Sequence, residues 1–227
     1  MYVLYIANKN YSSWSLRPWV LMRELAIPFS ERLVRFDDPS AWSRFRAISP
    51  SGKVPCLVDG NTTVWESLAI AEYLAERHPA VWPADRAARA YARSAAAEMH
   101  AGFSELRNRC SMNCGVRIRL HEIPEALTRD IARLEALWGD GLSRFGGPFL
   151  AGAGFTAVDA FFAPVAFRAQ TYGLHLGADA AAYVGRLLEL DSMRRWYADG
   201  VAETFRDEPH EKEMAGIGRI IEDLRAR

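Results

Sequence analysis

Residues Tyr2 to Ala7 form a short, nearly continuous apolar run, the pattern of a strand covered on both faces. After a polar turn, Leu16, Trp19, Val20 and Ala26 recur at helical spacing, which predicts a helix over 16–26. Pro18 should then lie near its start, because a proline deeper in the helix breaks the hydrogen-bond ladder. Phe29 to Phe36 reads as a second strand. Cys56-Leu57-Val58 and Thr63-Val64-Trp65 flank Asp59-Gly60, a hairpin signal. Glu66 to Arg77 reads as a helix whose inner side carries Leu68, Ala71, Tyr73, Leu74 and Ala75.

His78-Pro79-Ala80-Val81-Trp82-Pro83 interrupts this periodicity and marks a boundary. Helical patterns follow at Ala84–Met99, Pro124–Trp138, Val158–Tyr172 and Ala180–Leu190, with no strand alternation competing. The expectation is an α/β domain over 1–78, a linker over 79–85 and an all-helical domain over 86–227.

Composition narrows the class. Of 227 residues, 50% are hydrophobic and 25% charged, a globular make-up that needs no disulfide or metal to fold. The 28 basic and 28 acidic residues balance, and no run of one sign suggests nucleic acid or a membrane surface. Three cysteines make no secreted disulfide framework, and the N-terminus lacks a basic leader; a cytoplasmic location is expected.

Four segments carry candidate chemistry. Tyr11-Ser12-Ser13-Trp14-Ser15-Leu16-Arg17 lies between the first strand and first helix. Serines there are good caps, but a hydroxyl at a helix N-terminus also donates to an anion and lowers the pKa of a thiol held there. In Ser51-Gly52-Lys53-Val54-Pro55-Cys56-Leu57, a cis Val54–Pro55 bond would turn the Val54 main chain outward toward an extended peptide. Trp65-Glu66-Ser67 opens a helix whose free amides suit a carboxylate. Thr156 and Asp159 have capping-box spacing, and folding is their expected role.

In this order the motifs resemble the cytosolic glutathione transferase family over essentially the whole chain. Ser-Gly-Lys-Val-Pro-x-Leu, the Asp-Gly hairpin and Glu-Ser-Leu-Ala-Ile-Ala-Glu-Tyr-Leu match its glutathione-site pattern, and Thr156/Asp159 its helical-domain folding motif. The resemblance implies a thioredoxin-like βαβαββα domain binding glutathione as co-substrate, a helical domain completing the electrophile site, and a homodimer. The Ser12-Ser13-x-Ser15-x-Arg17 loop is most similar to the zeta class, whose Ser-Ser-Cys-x-x-Arg carries cysteine where this chain has Trp14. Zeta enzymes include maleylacetoacetate isomerases, so that isomerisation is the alternative to conjugation; a non-catalytic binding protein of the same fold is the other.

The resemblance assigns thiol activation to Ser12, with Ser13 as second choice. It assigns the cysteinyl clamp to Val54 and Pro55, the γ-glutamyl end to Glu66 and Ser67, and the glycine carboxylate to Lys53. Trp14, Arg17, Arg107 and Arg168 are the candidate electrophile-site residues; Arg168 lies three residues short of the zeta class's carboxylate-binding arginine. Cys110 and Cys114 have CxxxC spacing and no nearby histidine set, so no metal site is expected and packing on one helix face is. A thioredoxin is excluded because the loop after the first strand holds no cysteine.

Overall fold

The computed structural model describes residues 1–36 and 40–226, apart from the side chains of Ala41 and Trp42. Strand β1 (Tyr2–Ile6) leads through a clamped loop into helix α1 (Ser13–Glu24), followed by β2 (Phe29–Leu33) and α2 (Ala41–Ile48). Then come β3 (Cys56–Asp59), β4 (Thr62–Trp65) and α3 (Ser67–Ala75). The sheet order is β2-β1-β3-β4, with β1 and β2 parallel and the other pairs antiparallel. Gly60, at φ +59°, makes the β3–β4 turn, where a side chain would strain the backbone.

Alternation within β1 explains its two-sided burial. Leu4 and Ile6 pack with Trp19, Ile70 and Leu74 of α1 and α3, while Tyr5 packs toward Phe45 of α2 on the opposite face. Helix α1 starts three residues before the expected Leu16, so Ser13 lies in the helix and Pro18 well inside it. Pro18 has no N–H to offer the Trp14 carbonyl, and the fully buried Trp19 and Val20 hold the helix together across that gap. Strand β2 stops at Leu33, short of the expected Phe36.

A 3-10 turn at Pro79–Val81 leads to α4 (Arg86–Ala101), α5 (Ser104–Arg109), β5 (Val116–Leu120) and α6 (Glu125–Phe145). Next are α7 (Ala157–Tyr172), α8 (Ala178–Glu189), α9 (Asp191–Ala202), α10 (Glu208–Ile217) and β6 (Gly218–Asp223). The helical part therefore carries an antiparallel β5–β6 pair that the expected all-helical domain lacks. Val116 and Ile118 point inward between Arg117 and Arg119, a period of two that the partner strand a hundred residues on completes.

Helix α7 is buried on nearly every side and packs on α1, α4, α8 and β5. Its Thr156/Asp159 capping box is formed. The Asp159 carboxylate accepts from the Thr156 N–H at 2.9 Å, the Leu150 N–H at 3.0 Å and the Tyr183 hydroxyl at 2.9 Å.

The helical part also fastens the loop after β1. Glu203, just beyond α9, accepts from the backbone N–H of Lys9 at 2.7 Å and of Asn10 at 3.2 Å. Trp196 Nε1 donates to the Lys9 carbonyl at 2.8 Å, and Gly115 N–H donates to the Asn10 side chain at 3.1 Å. Lys9 Nζ is buried between Glu31 at 2.8 Å and Asp199 at 2.7 Å.

Candidate functional site

The first turn of α1 faces a cavity of about 510 Å³, a size suited to a small-molecule ligand. Ser12, Ser13 and Trp14 line it from that turn, Lys53 and Val54 from the loop before β3. Arg107, Arg168 and His210 line it from α5, α7 and α10. A cleft of about 150 Å³ adjoins it, lined by Ser51, Lys53, Val54, Pro55 and Glu66. Trp14, Lys53 and Val54 line both spaces, so the two adjoin with the indole in their shared wall.

Neither serine spends its hydroxyl on capping α1. Ser12 Oγ donates to Ser15 Oγ at 2.7 Å, and Ser15 Oγ also accepts the Ala7 N–H at 3.2 Å. Ser13 Oγ accepts from Arg168 Nη2 at 3.3 Å. No side chain caps the helix, and although the Ser13 N–H is taken by the Tyr11 carbonyl at 2.9 Å, the positive end of the helix dipole still favours a ligand carrying negative charge.

The Val54–Pro55 bond is cis, as considered from the sequence. Glu66, at φ +70°, takes a backbone conformation that a non-glycine residue rarely adopts, and it immediately precedes α3. Strain of this kind costs about 1–3 kcal/mol and clusters at ligand sites. Beside it, the buried Ser67 hydroxyl has no hydrogen-bond partner, and Ser67 lines neither space.

Two guanidinium groups lie against Trp14. Arg17 stacks on its ring at 4.0 Å and on Phe161 at 5.0 Å, and Arg107 lies 5.4 Å from the indole. Arg17 is 2% exposed, lines neither space, and leaves Nε and Nη1 without hydrogen-bond partners. Burial, then the charges of Arg168 and Arg107, push its pKa well below the usual arginine value. Arg168 donates to the carbonyls of Cys110 and Arg107 as well as to Ser13, and burial lowers it to about 10. None of Arg17, Arg107 and Arg168 forms an ion pair among the described residues.

Cys110 caps the C-terminus of α5 and Cys114 lies in the irregular stretch beyond it, so the two do not share a helix face. Both are buried free thiols, and burial raises Cys110 to about 12, far from a reactive thiolate. Among the described residues no group of three or more His, Cys, Asp or Glu could hold a metal ion.

Among the cavity residues that the sequence did not single out are Tyr11 and His210. Tyr11 precedes the serines, and its hydroxyl donates to Glu211 at 2.6 Å. His210 stacks on Phe36 and lies tilted against Tyr11, with ring centroids 5.9 and 5.1 Å away. No local pattern announces His210; only the return of α10 brings it to the cavity.

Residues 11–77 match the glutathione S-transferase N-terminal domain profile, and residues 117–199 match the C-terminal one. A probable maleylacetoacetate isomerase from Caenorhabditis elegans is 28% identical over 184 residues, covering 77% of this chain and 81% of that protein. A glutathione transferase homologue from Burkholderia gl BGR1, solved with bound glutathione, superposes with a TM-score of 0.65 at 25% identity. That alignment covers 88% of this chain and 97% of that one. Glutathione transferase Omega 3C from Trametes versicolor gives 0.68 at 21% identity, covering 95% and 91%. With both domain profiles matched in order and the fold shared along its length, the chain belongs to the glutathione S-transferase family.

Proposed function

We propose that the chain binds glutathione in the cleft beside Val54 and Glu66 and presents its thiol to a small electrophile in the adjoining cavity. The observation that carries this reading is that the two spaces adjoin across a shared wall of Trp14, Lys53 and Val54, directly beside Ser12 and Ser13. In this reading the Val54 main chain, beside Pro55, pairs with the cysteinyl unit. Glu66, in the wall of the cleft, takes the γ-glutamyl end at the α3 N-terminus, and the neighbouring Ser67 hydroxyl, unpartnered but outside the lining of either space, joins it once the ligand shifts that turn. Lys53 takes the glycine carboxylate.

Ser12 is the thiol activator in this reading, and Ser15 supports it from behind. Hydroxyl hydrogens rotate, so Ser15 can donate to Ser12 when a thiolate arrives, freeing the Ser12 proton for the sulfur. Ser13 is engaged instead by Arg168. The enzyme thus supplies no nucleophile; it lowers the pKa of the bound thiol and holds it near an electrophilic carbon.

Cis–trans isomerisation through a glutathione adduct is the second reading. The nematode relative's description favours it, as do Arg107 and Arg168 in the cavity wall, which could meet substrate carboxylates. A homodimer is proposed with either, and sedimentation at twice the mass of one chain tests it. Retention on immobilised glutathione, followed by assays with maleylacetone, haloacids, chlorodinitrobenzene and peroxides, tests the function. A protein of this fold that bound no glutathione and turned over none of these would be a non-catalytic binding module.

A further inference from the structure

We propose that His210, held by Asp207, is a catalytic acid that protonates the carbanion formed when glutathione adds to an activated alkene. This rests on the glutathione reading above and extends it to a class of substrate and a proton.

The geometry of the imidazole supports the role. Asp207 Oδ2 contacts His210 Nδ1 and also accepts the His210 backbone N–H at 3.3 Å, so one carboxylate fixes both the ring and the start of α10. The ring lies against Tyr11 at 5.1 Å and Phe36 at 5.9 Å. Tyr11 is itself held, since its hydroxyl donates to Glu211 and accepts the Asp207 N–H at 3.4 Å. With Nδ1 committed to the carboxylate, Nε2 is the nitrogen left for the cavity that His210 lines together with Ser12 and Ser13.

An addition consumes a proton at carbon, which a positioned acid can deliver faster than solvent, and a halide displacement consumes none. When the thiol ionises, its proton leaves to solvent. The sulfur then bonds to the β-carbon of an α,β-unsaturated ketone, and the alkene electron pair moves onto the α-carbon and carbonyl oxygen. That enolate must take one proton, here from Nε2–H of the His210 imidazolium, whose Nδ1–H stays on Asp207; the neutral imidazole left behind regains a proton from solvent. In displacement of an aryl chloride the electron pair leaves with chloride, and no proton is needed. Helix capping alone would give Asp207 and His210 no influence on the balance between these reactions.

The experiment compares kcat/KM for phenylbutenone and chlorodinitrobenzene with glutathione in the wild type, His210→Gln and Asp207→Asn. Asparagine still caps α10, so that variant separates the charge from the fold. A positioned acid contributes about 100-fold or more, so the addition-to-displacement ratio should fall by about that in His210→Gln. Asp207→Asn should lower the same ratio to a smaller extent. In the wild type, a normal solvent deuterium isotope effect is expected on addition alone, which needs no variant to fold. An unchanged ratio in both variants, or the absence of that isotope effect, overturns the role of His210 while the glutathione reading stands. A wild type inactive toward both substrates overturns the two together.

Discussion

Arg168 of α7 donates a hydrogen bond to the Ser13 hydroxyl in the first turn of α1, at 3.3 Å. The same guanidinium satisfies the carbonyls of Cys110 and Arg107, so one buried cation ties three segments together at the cavity wall. Arg168→Met should leave those acceptors unpaired and cost about 2–4 kcal/mol of stability. Arg168→Lys, keeping charge but losing the planar fork, should recover only part of it. Chemical denaturation of the three proteins checks the order.

Thiol activation separates the serines. Ser12→Ala should lower kcat about 100-fold with little change in glutathione affinity, because a bond to the thiolate counts in chemistry more than in binding. Ser15→Ala should show a smaller loss of the same kind, since it removes the support behind Ser12. Ser13→Ala should act mainly on stability, through Arg168. A larger kinetic loss in Ser13→Ala than in Ser12→Ala would contradict the assignment.

Trp14 separates the two chemistries. Its indole walls both spaces and lies over the buried Arg17. Flat aromatic electrophiles gain from stacking on it, whereas a small dianion depends on the arginines. The wild type should conjugate chlorodinitrobenzene efficiently and isomerise maleylacetone weakly; Trp14→Ala should lower the first about 10-fold. Efficient isomerisation by the wild type, retained in Trp14→Cys, would reverse this ranking.

The capping box should act on folding alone. Thr156→Ala should cost about 1 kcal/mol. Asp159→Ala should cost several-fold more, because it strands buried donors from Thr156, Leu150 and Tyr183. Turnover per folded molecule should be unchanged in both, as measured by thermal melts alongside active-site titration.

His100 stands edge-on to Trp14 at 5.3 Å, and burial followed by the Arg17 charge lowers its pKa below 6.5. The folded protein therefore resists protonation that the unfolded chain accepts. The stability this contributes is present above about pH 6.5 and is lost as the pH falls through that value toward the lower folded one. Thermal midpoints across about pH 5–7 should fall less steeply in His100→Gln.

The legible parts of this molecule were those written in adjacent residues. The Asp59-Gly60 hairpin, the helix after Glu66 and the Thr156/Asp159 box each need only a few neighbours in sequence to specify them. Helix α1 shows where that reading stops. Pro18 pointed to a helix starting close to it, but Trp19 and Val20 are buried deeply enough for packing to outweigh one missing hydrogen bond. Strand β5 went unread: Val116, Ile118 and Leu120 alternate with arginines over only five residues, and the partner that completes the pair lies at the far end of the chain. His210 and the Ser13–Arg168 bond are tertiary facts of the same kind, separated from their partners by most of the sequence.

The fastening of Lys9 and Asn10 by Glu203 and Trp196 limits how portable the site is. The segment that delivers Ser12 borrows its backbone partners from the other end of the polypeptide. Residues 1–78 alone would carry the glutathione motifs but would have to shape that segment without those partners. Transplanting the chemistry onto another thioredoxin-like scaffold therefore means moving α9 and its C-terminal continuation as well, and the smallest inheritable unit of activity is close to the whole chain.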